Sequence, residues 1–457
     1  MTESSEASSL ADAWLHEQAT AERVRRLCAL ATSADPATAK AGTDAIFRRI
    51  IEPLGDSFDP RDCGRYREFF AKVVDFCRTL PAGRAIDESL RAFGLHTRED
   101  LSARARRLVA PTRFEQGQAD EIKRILVLSR VTLGADVAVT SVVLSRLKNL
   151  FTKAEICLLG NPKAGSLFAS DGRIQLVAID YQRAGTLLER LDAWPRIAAA
   201  VGAKVGGLRP EEYLVVDPDS RLTQLGLLPI APEEARYLFF ESRSYAPNSA
   251  KSLGELTDQW LDEIFGLAAQ PSRPYVALAS EDAARGARLR ASTPSRVAVV
   301  NLGVGENPEK RLHGAFEIDL LLLLLRAGYR VVLDRGAGEE ELQRTGNLIE
   351  ALREKGHSVA AADSTEAPAA GVLTWEGSLS GLAGLMQAAD LYVGYDSAGG
   401  HIAAALGVPA IDVFAGAVSS RMRQRWSPWG RQPARVLAVD PGATPTDILR
   451  RIQELLE

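Results

Sequence analysis

Cysteine is scarce. Cys28, Cys63, Cys77 and Cys157 are the only four in 457 residues, and they form neither a Cys-x-x-Cys pair nor a close spacing with histidine. That argues against a structural zinc site or a dense disulfide framework, and a reducing compartment is the expected setting. One-sided charge is missing as well: 55 Lys and Arg stand against 59 Asp and Glu, a net charge of −4. No field of the whole molecule therefore draws the chain onto nucleic acid, and no nucleic-acid partner is expected. Long apolar runs are absent too. The leucines 320–325, closed off by Arg326, fall far short of the ~20 residues that span a bilayer and are expected to form a buried helix. The opening Met-Thr-Glu-Ser-Ser-Glu-Ala has neither the positive n-region nor the apolar h-region of a secretory signal, so a cytoplasmic protein is expected.

What is present is ordinary globular composition, 46% hydrophobic and 25% charged, in a chain long enough for about three domains. From about residue 8 to 118 apolar residues recur at helical spacing, as in Trp14, Val24, Leu27 and Leu30, or Phe69, Phe70, Val73 and Val74. Pro53, Pro60 and Pro81 separate the runs, which predicts an all-α domain over 1–118. Its arginines, among them Arg48, Arg49 and Arg104, read as solvated helix faces. At Ile122 the pattern changes to short continuous apolar runs separated by helical stretches: Ile125–Leu128, Glu155–Leu159, Ile174–Ile179 and Tyr213–Val216. This is βαβ patterning with strands buried on both faces. After a proline-punctuated stretch from Gln270 to Ser295 a second series begins with Val297–Asn301, Arg330–Leu333, Leu391–Val393 and Ala410–Phe414. The expected fold is α/β, with Rossmann-like lobes over 119–290 and 291–457 facing each other across a cleft. Ligands of such sheets sit beyond the strand C-termini.

Four segments fall at those strand ends. Ser129–Asp136 follows the first strand; Gly134 permits a tight turn, and Asp136 stands near a helix start as a base or as a plain cap. Gly394-Tyr395-Asp396-Ser397-Ala398-Gly399-Gly400-His401 runs from a strand end into a small-residue helix whose free N–H groups suit a diphosphate; the plainer reading makes Asp396 or Ser397 a cap and His401 a half-buried helix residue. Asn301–Arg311 is a glycine-bearing loop ending in Lys310 and Arg311, placed to meet negative charge on a leaving phosphate. Arg335–Glu341 could offer a carboxylate to a ribose hydroxyl, or simply be an acidic helix start. Asp217-Pro218-Asp219 could bind a divalent ion, but its proline and its place at a strand end favour a turn.

These segments together resemble glycosyltransferase family 9, the ADP-heptose:lipopolysaccharide heptosyltransferases. The resemblance spans about 122–440 and rests on Arg130, Asp136 and Thr140 in the first lobe, then Asn301, Gly303, Lys310 and Arg311. It continues with Gly336, Gly338 and Glu339, with Ala389–Ser397 and His401–Pro409, and with Pro428-Trp429-Gly430. Ala135 and Ala398 stand where the family has glycine, Ala415-Gly416-Ala417 replaces its Gly-Pro-Thr, and the helical domain lies outside its core.

The resemblance implies a GT-B enzyme: an inverting, metal-independent glycosyltransferase without cofactor, moving a sugar, heptose by first choice, from a nucleotide-diphosphate donor. The acceptor would be a glycan, glycolipid or protein of the cell envelope. Asp136 would be the general base and Lys310 would stabilise the leaving diphosphate. Asn301, Gly303, Arg311, Glu339, Asp396, Ser397, Ala398, Gly399, Gly400 and His401 would hold the donor. Arg130, Thr140 and Arg243 would face the acceptor. A peripheral contact with the inner membrane face and a protein partner for the helical domain belong to the same expectation. Two alternatives stay open: a non-catalytic sugar-nucleotide or partner-binding scaffold of GT-B fold, and a sugar-nucleotide epimerase.

Overall fold

Aspartate and proline set the helix starts of the N-terminal third. Asp35 accepts the Thr38 N–H at 2.8 Å just ahead of Pro36, and Asp59 accepts the Arg61 N–H at 2.9 Å just ahead of Pro60. Proline at the first helical position gives up an N–H that has no partner there anyway. In the structure, a computed structural model, the described residues are 3–457 except 17–19, 110–112, 115, 180, 182–184, 269, 306, 365–369, 417–418 and 441. The helices Glu3–His16, Ala21–Ala31, Pro36–Asp44, Pro60–Cys77, Arg84–Ala92 and Arg98–Leu108 make the expected all-α region. Trp14 meets Phe69 edge-on with ring centroids 4.7 Å apart. A π-helical turn, Ala45–Ile51, carries the third helix on into Glu52–Asp56.

Five parallel strands follow: β1 (Arg124–Leu128), β2 (Glu155–Gly160), β3 (Ile174–Ala178), β4 (Tyr213–Asp217) and β5 (Tyr237–Phe239), in the order β3-β2-β1-β4-β5. One face of this sheet, with Leu126, Leu128 and Leu159, shares a single apolar core with the helix Leu187–Val205 and the N-terminal helices. The opposite face packs on helices of both lobes. The second sheet holds β6 (Arg296–Asn301), β7 (Tyr329–Asp334), β8 (Val359–Ala361), β9 (Val372–Trp375), β10 (Leu391–Tyr395), β11 (Ala410–Phe414) and β12 (Arg435–Ala438). Its order is β12-β11-β10-β6-β7-β9-β8, again all parallel.

In each sheet the strand order reverses at the first strand. β1 lies between β2 and β4, and β6 between β7 and β10. Loops leaving neighbouring strands there turn to opposite faces of the sheet, which opens a crevice at the strand C-termini. The loops after β1, β6 and β10 are the ones singled out in the sequence.

Four strands are not foreseen by the apolar runs: β5, β8, β9 and β12, of three or four residues each. Such lengths give too little periodicity to stand out. The stretch from Gln270 to Ser295, read as an irregular connection, contains the helix Ser280–Ala291. Only Gly286 and Leu289 are buried on it, so it lacks an apolar stripe. It seats on Leu379–Met386 through backbone, where a side chain on Gly286 would overlap Gly384. The leucine run lies in the helix Phe316–Arg326, with Leu320, Leu321 and Leu324 in the core. Among the described residues no helix is long and apolar enough to cross a membrane.

Candidate active site

β1 ends in the core, and the chain leaves it through a constrained turn. Val131 has φ +74°, a left-handed conformation unfavourable for a β-branched residue. The Val131 N–H donates to Ser129 Oγ at 3.0 Å. Two residues later the helix begins, and within it Asp136–Thr140 is a π-helical turn, a feature that recurs at functional sites. The Asp136 side chain is fully buried. Ser129 Oγ donates to its Oδ2 at 2.7 Å, and the Arg130 N–H and Thr140 Oγ1 both donate to its Oδ1 at 2.8 Å. Burial still raises its carboxyl above the ordinary value, outweighing those donors, so Asp136 is more basic than a surface aspartate. Beside Ser129 opens a cavity of about 250 Å³ at the ends of β1, β2 and β3, whose lining includes Val131, Asn161, Lys163 and Tyr181.

The cations expected on this side are gathered elsewhere. Arg130 and Arg243 converge on Asp219, a buried residue at φ +68°. Asp219 Oδ2 accepts from Ser242 Oγ at 2.5 Å and from Arg243 at 3.0 Å, with an Arg130 nitrogen at 3.9 Å. Burial pulls Arg130 down to about 10. Its guanidinium also lies over the Trp426 ring of the second lobe, 5.6 Å from the centroid. Asp217 is likewise turned inward, accepting from the Ser220 N–H at 2.6 Å and from Thr223 and Tyr237 hydroxyls at 2.5 Å each. Thr140, occupied by Asp136, has no exposed surface to offer an acceptor.

Across the crevice, the turn after β10 leads into the helix Ala398–Leu406. Ser397 takes the cap position in extended conformation, yet its side chain makes no capping bond and its Oγ is buried without a partner among the described residues. The first N–H groups of this helix are thus left for a ligand. A side chain on Gly399 would overlap the Tyr392 hydroxyl, and one on Gly400 the Asp412 carboxyl, so small residues are required at this helix start. Among the described residues, the Tyr392 hydroxyl, both Asp412 oxygens and His401 Nδ1 are buried with no hydrogen-bond partner. Burial pushes His401 down to about 4, which leaves it neutral at pH 7.

Lys310 reaches this turn from the loop after β6. Its ammonium pairs with the Asp396 carboxylate and donates to the Asp396 carbonyl at 3.3 Å. Asn301 closes the same loop, its Nδ2 donating to Asp334 at 2.5 Å and its Oδ1 accepting from the Gly303 N–H at 3.1 Å. Arg311 points to exposed Glu340 at 2.7 Å. Glu339, singled out for the donor, is exposed at the start of its helix, whereas Glu341 at the end of the same segment turns back to the loop: it accepts from the Ala337 N–H at 2.8 Å and lies beside Gly303.

The two halves touch. A side-chain carbon on Gly134 would lie 3.2 Å from Ala398 Cα and 3.3 Å from the His401 ring, so the Asp136 loop abuts the free helix start.

Residues 233–447 match the family described as glycosyltransferase family 9 (heptosyltransferase). Over those residues, a little under half of the chain, the protein is similar to glycosyltransferase family 9. Lys310 and the Asp396–His401 turn fall inside the matched span, and the Asp136 loop precedes it. Among solved structures, the family 9 glycosyltransferase from Veillonella parvula DSM 2008 is similar at a TM-score of 0.53 and 17% identity, over 74% of this chain and 98% of that one. E. coli heptosyltransferase WaaC with ADP aligns at a TM-score of 0.49 and 17% identity, over 72% of this chain and 99% of that one. Comparison with curated proteins finds no match. The Veillonella likeness assigns the GT-B fold, two Rossmann-like lobes, to which this glycosyltransferase adds its N-terminal helical region.

Proposed function

We propose that the family 9 domain performs an inverting, metal-independent transfer of a sugar, with ADP-heptose as donor, to a cell-envelope acceptor. The observation that carries this is the contact of Gly134 with Ala398 and His401: it brings a buried carboxylate from one lobe to the free helix start of the other. Lys310 and the N–H groups from Ala398 to Gly400 hold the donor diphosphate. The acceptor enters the cavity beside Ser129. Asp136 removes the proton from the acceptor hydroxyl as its oxygen attacks the anomeric carbon opposite the diphosphate. The bond from that carbon to the diphosphate oxygen breaks, and its electron pair stays on the departing ADP, where Lys310 offsets the growing charge.

Asp136 Oδ1 accepts two hydrogen bonds and Oδ2 only one, so Oδ2 keeps a lone pair for an incoming proton. Ser129, the donor to Oδ2, is the one of the three that lines the cavity, and Oδ2 is the oxygen assigned to take the proton. Incubating the purified chain with ADP-heptose and other nucleotide sugars tests the reading. Protection against thermal unfolding by ADP-heptose, with slow release of ADP, is expected. Protection without release in the presence of an envelope extract would leave a sugar-nucleotide-binding scaffold instead.

A further inference from the structure

A second cavity, of about 220 Å³, lies at the junction of the helical region and the first lobe, in a part of the chain outside the matched family span. Its walls come from the π-helical turn Ala45–Ile51 (Phe47, Arg48), from Glu52 and Tyr66, and from Arg221 and Gln224 of the first lobe. Tyr181 lines this cavity and also the one beside Ser129. The two spaces therefore share one wall residue.

Three features mark the junction as built. Gln224 and Leu225 are left-handed at φ +52° and +57°, followed by Gly226 at +74°, a strained run for two non-glycine residues. Tyr66 of the helical region donates to Gln224 Oε1 at 2.7 Å, and Arg104 donates to the Gly226 carbonyl, so the helices hold that strain in place. The same segment returns to the catalytic loop: Ser220 Oγ donates to the Ser129 carbonyl at 2.8 Å. The long ion pair of Arg221 with Glu52, 3.4 Å and partly solvent-exposed on both sides, leaves charged hydrogen-bonding groups of both signs in the wall.

We infer that this cavity is a remote acceptor subsite for a hydroxyl-rich saccharide, whose reacting end occupies the cavity beside Ser129 while the chain passes Tyr181. The inference rests on the reading that the Ser129 side takes the acceptor. Charged groups of both signs beside the half-buried ring of Tyr181 suit sugar hydroxyls and the apolar faces of sugar rings. A polypeptide acceptor would call for a row of free backbone groups or an apolar groove, and the described lining offers neither.

Saccharides of graded length, released from the producing organism's envelope and size-fractionated, are titrated calorimetrically into the full chain without donor. Affinity is expected to step up about tenfold once the saccharide is long enough to pass Tyr181, a gain of one good polar contact set. The step disappears in the double variant Glu52→Ala/Arg221→Ala. It weakens in Arg48→Glu, whose side chain is largely exposed. Equal affinity for long and short saccharides, or a step that persists in both variants, overturns the subsite. Length-dependent binding of an unfolded polypeptide in place of saccharide overturns the saccharide assignment. ADP-heptose hydrolysis, followed in parallel, separates the two readings: a length step without hydrolysis keeps the subsite and refutes the donor, and hydrolysis without a step does the reverse.

Discussion

Ser129 Oγ donates to Asp136 Oδ2 at 2.7 Å, and the same Oγ accepts from the Val131 N–H, so one hydroxyl joins the strained turn to the buried carboxylate. This arrangement separates the two roles open to Asp136. Asp136 lies inside the helix that Thr132 opens, so the cap reading gives way to a structural tie that needs only the Arg130 backbone donor; a base needs an oxygen that an incoming hydroxyl can reach.

Asp136→Asn keeps size and most hydrogen bonds but removes the base. Transfer should fall by about 10²–10⁴-fold, with ADP affinity by calorimetry close to that of the parent. Near-parental turnover in a folded variant would reduce Asp136 to a structural tie between the β1 turn and its helix.

Lys310→Ala removes an ammonium that the proposal places on charge present in the bound donor and larger in the transition state. ADP affinity should drop about 10- to 100-fold, the range of a charge-assisted hydrogen bond, and kcat should fall further. Unchanged ADP affinity and rate would mean that Lys310 serves only its pair with Asp396.

The fold and much of this site were legible in the sequence because their signals are local. β1, β6 and β10 are continuous apolar runs, and glycine marks the places where backbones approach: Gly399 and Gly400 lie directly on Tyr392 and Asp412. What escaped depends on distant partners. Asp219 looks like any turn aspartate until Arg130, Ser242 and Arg243 close on it. Trp426 shows its role only where Arg130 crosses from the other lobe, and Glu341 rather than Glu339 turns inward because of helix phase. A shift of two residues in a helix start is invisible in an acidic run such as Glu339-Glu340-Glu341. The cavity at Tyr66 and Gln224 joins residues 158 positions apart, a distance no spacing pattern spans.

Stability should carry a pH signature from Asp217. Burial pushes its carboxyl up to about 6, against 3.8 for the ordinary group, so the folded protein holds a proton that the unfolded chain has released. The contribution of Asp217 is thus most favourable below about pH 4 and is lost as pH rises to about 6. His401, pushed down to about 4, acts in the opposite sense over much of the same range, so the wild-type slope alone is not diagnostic. Asp217→Asn removes one term only. Relative to the parent it should gain on the order of 2–3 kcal/mol between pH 4 and pH 7 in chemical denaturation. Parallel pH curves for the two proteins would place the Asp217 pKa near its ordinary value.

The last prediction concerns metal. Leaving-group stabilisation is assigned to Lys310 and to the N–H groups at the start of Ala398–Leu406, so ADP release from the donor should persist in excess EDTA. Asp217 and Asp219 then act as internal acceptors. Asp219 in particular offsets two buried guanidiniums, those of Arg130 and Arg243, so Asp219→Asn leaves cationic charge uncompensated in the interior. Its cost should appear first in stability, at about 3–5 kcal/mol for breaking a buried pair, and the variant should remain as insensitive to EDTA as the parent. The contrary result is specific: turnover abolished by EDTA, restored by Mg²⁺ or Mn²⁺ in the parent, and not restored in Asp219→Asn. That outcome would make Asp217-Pro218-Asp219 a metal-binding turn and would take the leaving-group role away from Lys310.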